Sequence, residues 1–260
     1  MSDASPQFVD IHCHILPGID DGPVNLEQSV QLARLLVQQN VGHVVATPHQ
    51  LCPQPHVLAS VPPDQQHRQT ELASRSSVLR LVDELNQALV QRRIPLLVHP
   101  GGEVHIVPNL IEQLDAGVAL TLCDHNAFVL VELPFDHPLP ARGIIQQLHQ
   151  RGLGVILAHP ERYASALQDP GFLDDWIEHH AMLQINADSL CGDHGNAVQK
   201  LALSLIETGK AHFVASDAHG NGRPPRLAQA FELLKSVIPL PACEQLFIHN
   251  PARVIKSSSV

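Results

Sequence analysis

The residues best able to do chemistry stand in short clusters. Residues 10–23 read DIHCHILPGIDDGP, which places His12 and His14 one residue apart and then Asp20 and Asp21 side by side. Further on come His49 in TPH, His99, Glu103 and His105 in HPGGEVH, and Glu132 in FVLVELPF. His159, Glu161 and Arg162 follow in AHPER, and Asp217 and His219 in SDAH. On an extended strand alternate side chains share a face, so both imidazoles of H-x-H reach one cation while Cys13 points the other way. Carboxylates hold pairs of cations about 3.5–4 Å apart, the spacing of many hydrolytic metal pairs. Nitrogen and oxygen donors without thiolate suit manganese, iron or zinc.

Taken singly, most of these residues have a plainer reading. A lone glutamate at a strand end is usually an ion-pair partner, and a lone histidine on an apolar strand is usually a hydrogen-bonded core residue. That reading is preferred for His99, His105 and His137. It fails for the eight acids and histidines that recur at equivalent places, His12, His14, His49, Glu103, Glu132, His159, Asp217 and His219. So much buried charge is prohibitive without cations. Glu132 lies in so apolar a run that it needs a compensating charge, a buried arginine or, as preferred here, a metal.

A cysteine nucleophile is testable from spacing. A thiol-based tyrosine phosphatase loop requires arginine six residues after its cysteine. The positions six after Cys13, Cys52, Cys123, Cys191 and Cys243 hold Ile19, Leu58, Val129, Ala197 and His249. That chemistry is absent, as are G-x-S-x-G, Walker A and G-x-G-x-x-G motifs. A formal charge of -10 argues against nucleic acid as a partner and against a polybasic membrane anchor. No apolar run approaches the roughly 18 residues a membrane span needs. The scattered cysteines and the polar start without a basic leader segment make a reducing cytoplasm the simplest setting.

These side chains need strands to present them, and the pattern supplies strands. Apolar runs at 7–12, 41–49, 94–106, 127–134, 153–160, 182–186 and 211–219 alternate with helical patterns near 25–40, 65–92, 108–116, 140–151, 170–180, 195–208 and 225–237, the last of these being the final helix expected. Asn25 and Gln28 fit a capping box at the first helix, and residues 50–64 form a proline-rich loop. Nearly continuous apolar strands are those buried on both faces of a parallel sheet. About seven βα units in 260 residues, with no linker or shift of composition, predict one α/β domain over 1–260, closed or nearly closed as a barrel. All strand C-termini of such a barrel lie on one face, where the acids and histidines would meet.

Taken together, DIHCHILPGIDDGP, ATPH, GGEVHI, VLVELPF, LAHPERY, QINADSLCGDHG, ASDAHG with RPP after it, and NPARVI resemble the polymerase and histidinol phosphatase (PHP) superfamily. Within it the chain is most similar to the manganese-dependent bacterial tyrosine phosphatases of capsule and exopolysaccharide operons, the CpsB/YwqE group. The resemblance runs from residue 10 to about 255. It implies a distorted (β/α)7 TIM-like barrel and a site for two or three Mn2+ ions, with Fe or Zn as alternatives. It would assign His12, His14, Glu103 and Asp217 to a first metal. Glu103, Glu132 and His159 would hold a second, and His49, His219 and one of Asp20 and Asp21, with Asp21 chosen, a third. Arg162 would clamp a phosphoryl group. Two positions depart from the family pattern: Gln50, where an aromatic or histidine is common, and Asp188, where a small residue is expected.

The implied activity is metal-dependent hydrolysis of phosphotyrosine in protein, the natural substrate being the tyrosine-rich tail of a bacterial polysaccharide-assembly kinase, with no covalent phospho-enzyme. A small phosphoester such as histidinol phosphate is the alternative. A C–N hydrolase of the amidohydrolase kind is disfavoured, because none of Lys200, Lys210, Lys235 and Lys256 ends an apolar strand. A non-catalytic scaffold is disfavoured by retention of every implied ligand. No membrane insertion is expected, and the oligomeric state stays open.

Overall fold

The computed structural model describes residues 7–51, 73–133, 141–169 and 171–256. The proline-rich stretch 52–64, the first residues of the expected 65–92 helix, and His137 lie outside them.

Alternation of apolar side chains sets the architecture. In β7 (Gly154–Ala158) Ile156 and Ala158 face one core cluster and Val155 and Leu157 the other. In β6 (Phe128–Glu132) Leu130 lies inside, Val129 and Val131 outside. The inner cluster also takes Val9 and Ile11 of β1 (Phe8–Cys13), Val45 of β2 (Val41–Ala46), and Phe213 and Ala215 of β9 (Ala211–Ala215). The outer cluster packs the strands against the surrounding helices, as expected for strands buried on both faces.

Among the described residues every strand pair is parallel. One sheet runs β1, β2 and β4 (Leu97–His99), and the other runs β3 (His49–Gln50), β5 (Glu103–His105), β6, β7, β8 (Met182–Asn186) and β9. Two strands are broken. β2 continues past Thr47 and Pro48 as β3, and β4 continues past Pro100–Gly102 as β5. A bridge between Cys13 and Ala218, with Asp217 N–H donating to the His12 carbonyl at 2.8 Å, joins β1 to the end of β9. The nine described segments are thus seven strands in sequence order, a distorted (β/α)7 barrel.

The helices α1 (Leu26–Gln38), α2 (Arg75–Gln91), α3 (Leu110–Asp115) and α4 (Ala141–Gln150) fall where periodicity predicts, within a few residues except at α2's start. Asn25 caps α1 by accepting from Gln28 N–H at 3.0 Å. The returning Gln28 side chain accepts from Val24 N–H at 3.1 Å, one residue before the capping-box position. Of the helix expected over 65–92, the described part starts at Arg75, where the extended Ser74 caps it. Beyond β7 come α5 (Ala164–Gln168), α6 (Phe172–Glu178), α7 (Ala187–Cys191), α8 (Asn196–Glu207) and α9 (Leu227–Leu234).

Apolar periodicity does not reveal the C-terminal segment. Residues 240–256 are helical: α10 (Leu240–Glu244), a π turn (Gln245–His249) and α11 (Asn250–Lys256). Pro239, Pro241 and Pro251 read as breakers, yet Pro241 sits in a first turn, where a missing N–H costs little. This segment carries Phe247 onto Phe8 and Phe231, with ring centroids 5.4 and 5.2 Å away. Among the described residues no helix is long and apolar enough to cross a membrane.

Candidate metal centre

The C-terminal ends of the strands bring the clustered residues together. His12, His14, Glu103, His159 and Asp217 are buried to within 2% exposure, and Glu132 to 5%. Ligand atoms fall into four overlapping groups, each within 4.8 Å: His12, His14 and Glu103; His12, His159 and Asp217; His49, Glu103 and Glu132; and His14, Asp21, His49 and His219. The backbone bends to permit this, since His159 (φ 34°) and Asp217 (φ 50°) are both left-handed, a conformation often held at functional positions. Gly22 lets the Asp20–Asp21 loop close on β1, because a side chain there would collide with the His14 carbonyl.

Hydrogen bonds fix the histidine tautomers. The Gln184 amide donates to Asn186 Oδ1 at 2.8 Å, so its oxygen faces His12 Nδ1, also at 2.8 Å, and takes that proton. The Asp20 carboxylate, an acceptor, takes the proton of His14 Nδ1 at 2.7 Å. In the neutral imidazoles, the form that binds a cation, both Nε2 atoms are then left with lone pairs, 3.4 Å apart. Each also lies 3.4 Å from oxygens of Glu103 and Asp217. Ligands on one cation with bonds of about 2.0–2.2 Å are separated by roughly 3.0–3.5 Å. His49 Nδ1 and Glu103 Oε2 are 2.9 Å apart, yet both are buried without a hydrogen bond. His159 Nε2 and Glu103 Oε1 are hydrogen-bonded at 2.9 Å, but His49 Nδ1 and Glu103 Oε2 converge without satisfying one another, so the residues present fit a bound metal.

The cation-free charges agree. Burial opposes ionisation of Glu103 and Asp217, but His12 and His49 for the first, and Arg223 and His12 for the second, hold them well below the usual carboxylate range. Burial likewise opposes the His14 imidazolium, yet Asp20, Asp217 and Glu103 hold its pKa well above the ordinary value. His49 is raised to about 9 against burial, mainly by Glu103. The cluster therefore favours positive charge at its centre.

The aspartate pair divides its work. Asp20 is tied to His14 and accepts from Gly22 N–H at 3.0 Å. Asp21 lies 3.3 Å from His219 Nε2 and 3.6 Å from His49 Nε2, at the rim. Glu132 meets histidines: His105 at 3.4 Å, His49 at 3.6 Å and His159 at 3.7 Å. His99 lies apart, against His43 at 3.1 Å. Glu161 turns from the cluster and accepts from Asn186 N–H at 3.0 Å. Cys13 points away from the two histidines into the outer core, a register irregularity between Asp10 and Cys13 having switched the faces of β1 after Ile11.

The family model for capsular polysaccharide synthesis, CpsB/CapC, matches residues 8–256. The chain belongs to the CpsB/CapC family. It is 35% identical over 214 residues to the tyrosine-protein phosphatase YwqE of Bacillus subtilis, covering 82% of this chain and 77% of YwqE. It is 32% identical over 226 residues to the putative tyrosine-protein phosphatase CapC of Staphylococcus aureus, covering 86% and 82%. A solved structure from a set described as YwqE of Bacillus subtilis and CpsB of Streptococcus pneumoniae, "unique metal-dependent tyrosine phosphatases", superposes with a TM-score of 0.84 at 31% identity. The match covers 97% of this chain and 96% of that one. An amidohydrolase of Mycoplasma synoviae superposes at 0.57 with 14% identity, a likeness of fold alone.

Within this CpsB/CapC chain several site residues escaped the sequence reading. Gln184 and Asn186 face inward at alternate positions of MLQIN; their polarity in an apolar run was the available signal. Asp10 is fully buried in β1, accepts from Ser216 Oγ at 2.5 Å and from Ser216 N–H at 3.0 Å, and sits near pKa 6 because burial outweighs these bonds. Arg223, from the RPP motif, contacts Asp217 Oδ2, which also accepts from Arg162 at 3.1 Å and from Asn186 at 2.7 Å. The two departures have partners. Gln50 donates to the Ala73 carbonyl at 2.6 Å and accepts from Leu120 N–H at 2.8 Å, while Asp188 pairs with Arg223 and with His194 at 2.9 Å.

Proposed function

We propose that this protein is a metal-dependent phosphatase of phosphotyrosine in proteins. The observation that carries the reading is the facing pair of His12 and His14 Nε2 lone pairs, ringed by Glu103 and Asp217 oxygens, under two arginines. Family membership and the named activity of YwqE support the substrate class. The proposed ligand sets are His12, His14, Glu103 and Asp217; Glu103, Glu132 and His159; and His49, His219 and Asp21. Mn2+ is the proposed ion, in two or three copies. Bound divalent cations supply Lewis acidity to phosphoryl oxygens and acidify an attacking water.

The chain's own residues do the rest. Gln184 and Asp20 hold the imidazoles with Nε2 inward. Arg162 and Arg223, both on Asp217 Oδ2 at the mouth of the site, are placed to turn forked N–H donors toward phosphoryl oxygens. The buried floor excludes bulk water and strengthens these contacts. A phenolate leaves with little help, so no strong general acid is required of the rim.

The same proposal makes the substrate a bacterial tyrosine kinase of polysaccharide assembly, the setting cytoplasmic, and residues 1–260 one PHP domain. The four described cysteines are all free, which supports a reducing compartment. The test is metal analysis paired with hydrolysis of a phosphotyrosine peptide and of histidinol phosphate. The peptide should be preferred, and chelation should abolish activity until manganese is returned. Strong preference for histidinol phosphate would overturn the substrate class, and full activity after chelation would overturn the metal.

A further inference from the structure

Beside the metal centre, α1 and the Gly220–Gly222 turn enclose a cavity of about 210 Å³, with His219 as the wall shared between them. That volume is below the roughly 300–1,000 Å³ of a pocket for a whole small ligand, so it suits part of a larger one. Its chemistry is narrow. The lining side chains above the buried Leu32 are the carboxamides of Gln28, Gln31 and Asn221, with no lysine, arginine, aspartate or glutamate among them. Gln28 Oε1 is engaged by Val24 N–H, whereas Gln31 and Asn221 are committed to no partner among the described residues. The turn carrying Asn221 is closed at both ends. His219 N–H donates to the Arg223 carbonyl at 3.0 Å, and Arg223 N–H donates to the Gly220 carbonyl at 3.2 Å, with Gly220 at φ +111°. One rigid turn therefore presents His219, Arg223 and the Asn221 amide together.

We propose that this cavity is a subsite for the polypeptide main chain flanking the phosphorylated residue, read by the amides of Gln31 and Asn221. The inference rests on the proposed phosphotyrosine-protein activity. A phosphoryl or carboxylate group finds no fixed cation in the lining, and an aromatic ring finds too little apolar wall. A peptide main chain offers alternating N–H and C=O groups, which carboxamides pair with from both sides. On a chain of net charge -10, a groove free of carboxylates also admits a phosphopeptide without repulsion.

The experiment compares metal-loaded wild type with the Gln31→Ala/Asn221→Ala variant. Binding is measured by fluorescence anisotropy for a peptide carrying a non-hydrolysable phosphonate in place of phosphotyrosine, with the isolated phosphonate amino acid as competitor. The ratio of the two affinities should fall about tenfold in the variant, as expected for losing about two net hydrogen bonds. An unchanged ratio overturns the subsite. Gln31→Glu should make a lysine-flanked peptide bind several-fold better than a glutamate-flanked one, an effect that weakens with salt; indifference to the flanking charge also overturns it. Failure of the underlying activity looks different: wild type would hydrolyse p-nitrophenyl phosphate but leave the phosphotyrosine peptide intact.

Discussion

Arg223 is held by Asp188: its Nε donates to Asp188 Oδ2 at 3.2 Å, while its Nη2 reaches Asp217. Burial opposes the guanidinium charge, but the two carboxylates raise its pKa further above an already high value. Asp188 is itself buried and holds His194. It is thus a positioning residue for an arginine at the mouth of the site. Asp188→Ala should lower kcat/KM for an aryl phosphate about tenfold, because a misplaced donor loses transition-state contact. Asp188→Asn keeps an acceptor and should recover most of that loss. Equal losses in the two variants would show that charge matters and not placement.

The His12 and His14 arrangement predicts separate effects for a ligand and for its support. His14→Ala should abolish tight metal binding and lower activity by more than a hundredfold. Asp20→Ala leaves Nε2 in place but removes the acceptor on Nδ1, and should cost about 10–100-fold in metal affinity. Both are read by titrating manganese into the chelator-treated protein. Asp20→Ala binding as weakly as His14→Ala would place Asp20 among the ligands, and no effect would remove its orienting role.

Cys13 makes a contrasting case. Burial pushes its thiol well above the ordinary range, and its Sγ packs 3.5 Å from the Ala218 carbonyl. No thiolate forms there, and only a thiolate is nucleophilic. Cys13→Ala should keep kcat within about threefold of wild type while lowering Tm, since core trimming costs stability and not chemistry. Loss of activity without loss of stability would reopen a thiol mechanism.

Much of the site was legible because each ligand-type side chain ends an apolar run, and a barrel forces those ends together. Glu132 is the clearest example, where the surrounding valines and leucines announced both the strand and the need for a counter-charge. The supporting residues were harder to read. Gln184 and Asn186 count as modest blemishes in a strand until the barrel turns them inward toward His12 and Asp217. The choice between Asp20 and Asp21 depends on how the loop closes at Gly22, which adjacent identical residues cannot reveal. Arg223 stands in the RPP motif, but only the fold brings it onto Asp217.

His99 yields a pH prediction. Burial pushes its imidazole down to about 4, with His43 and His125 adding like-charge repulsion. In the unfolded chain the group takes its proton near 6.5. Above both values it is neutral in either state and contributes no pH dependence. As pH falls from about 6.5 toward 4, the unfolded chain gains a proton that the fold refuses, and stability is lost; below that the penalty is constant. His99→Gln removes this liability. Its Tm relative to wild type should therefore rise between pH 7 and pH 5, and a difference that stays flat over that range would refute the assignment.

Gly102, immediately before Glu103, offers a test of how the broken strand positions that proposed ligand. Any side chain there would run into the Gln50 carboxamide, which is 2% exposed and bonded to both Ala73 and Leu120. Gly102→Ala should therefore cost about 1–3 kcal/mol, the usual range for overpacking a filled interior. Because β5 begins at the next residue, the displacement should also move Glu103 and reduce metal affinity. Gln50→Ala alone should destabilise as well, by leaving the Ala73 carbonyl and the Leu120 N–H without partners. If the collision is the cause, removing the carboxamide makes room for the new methyl group. The double variant should then lose less than the sum of the two single losses, by at least about 1 kcal/mol. Denaturant unfolding of all four proteins measures this coupling, and strict additivity would mean that Gly102 is required for its backbone and not for the space it leaves to Gln50.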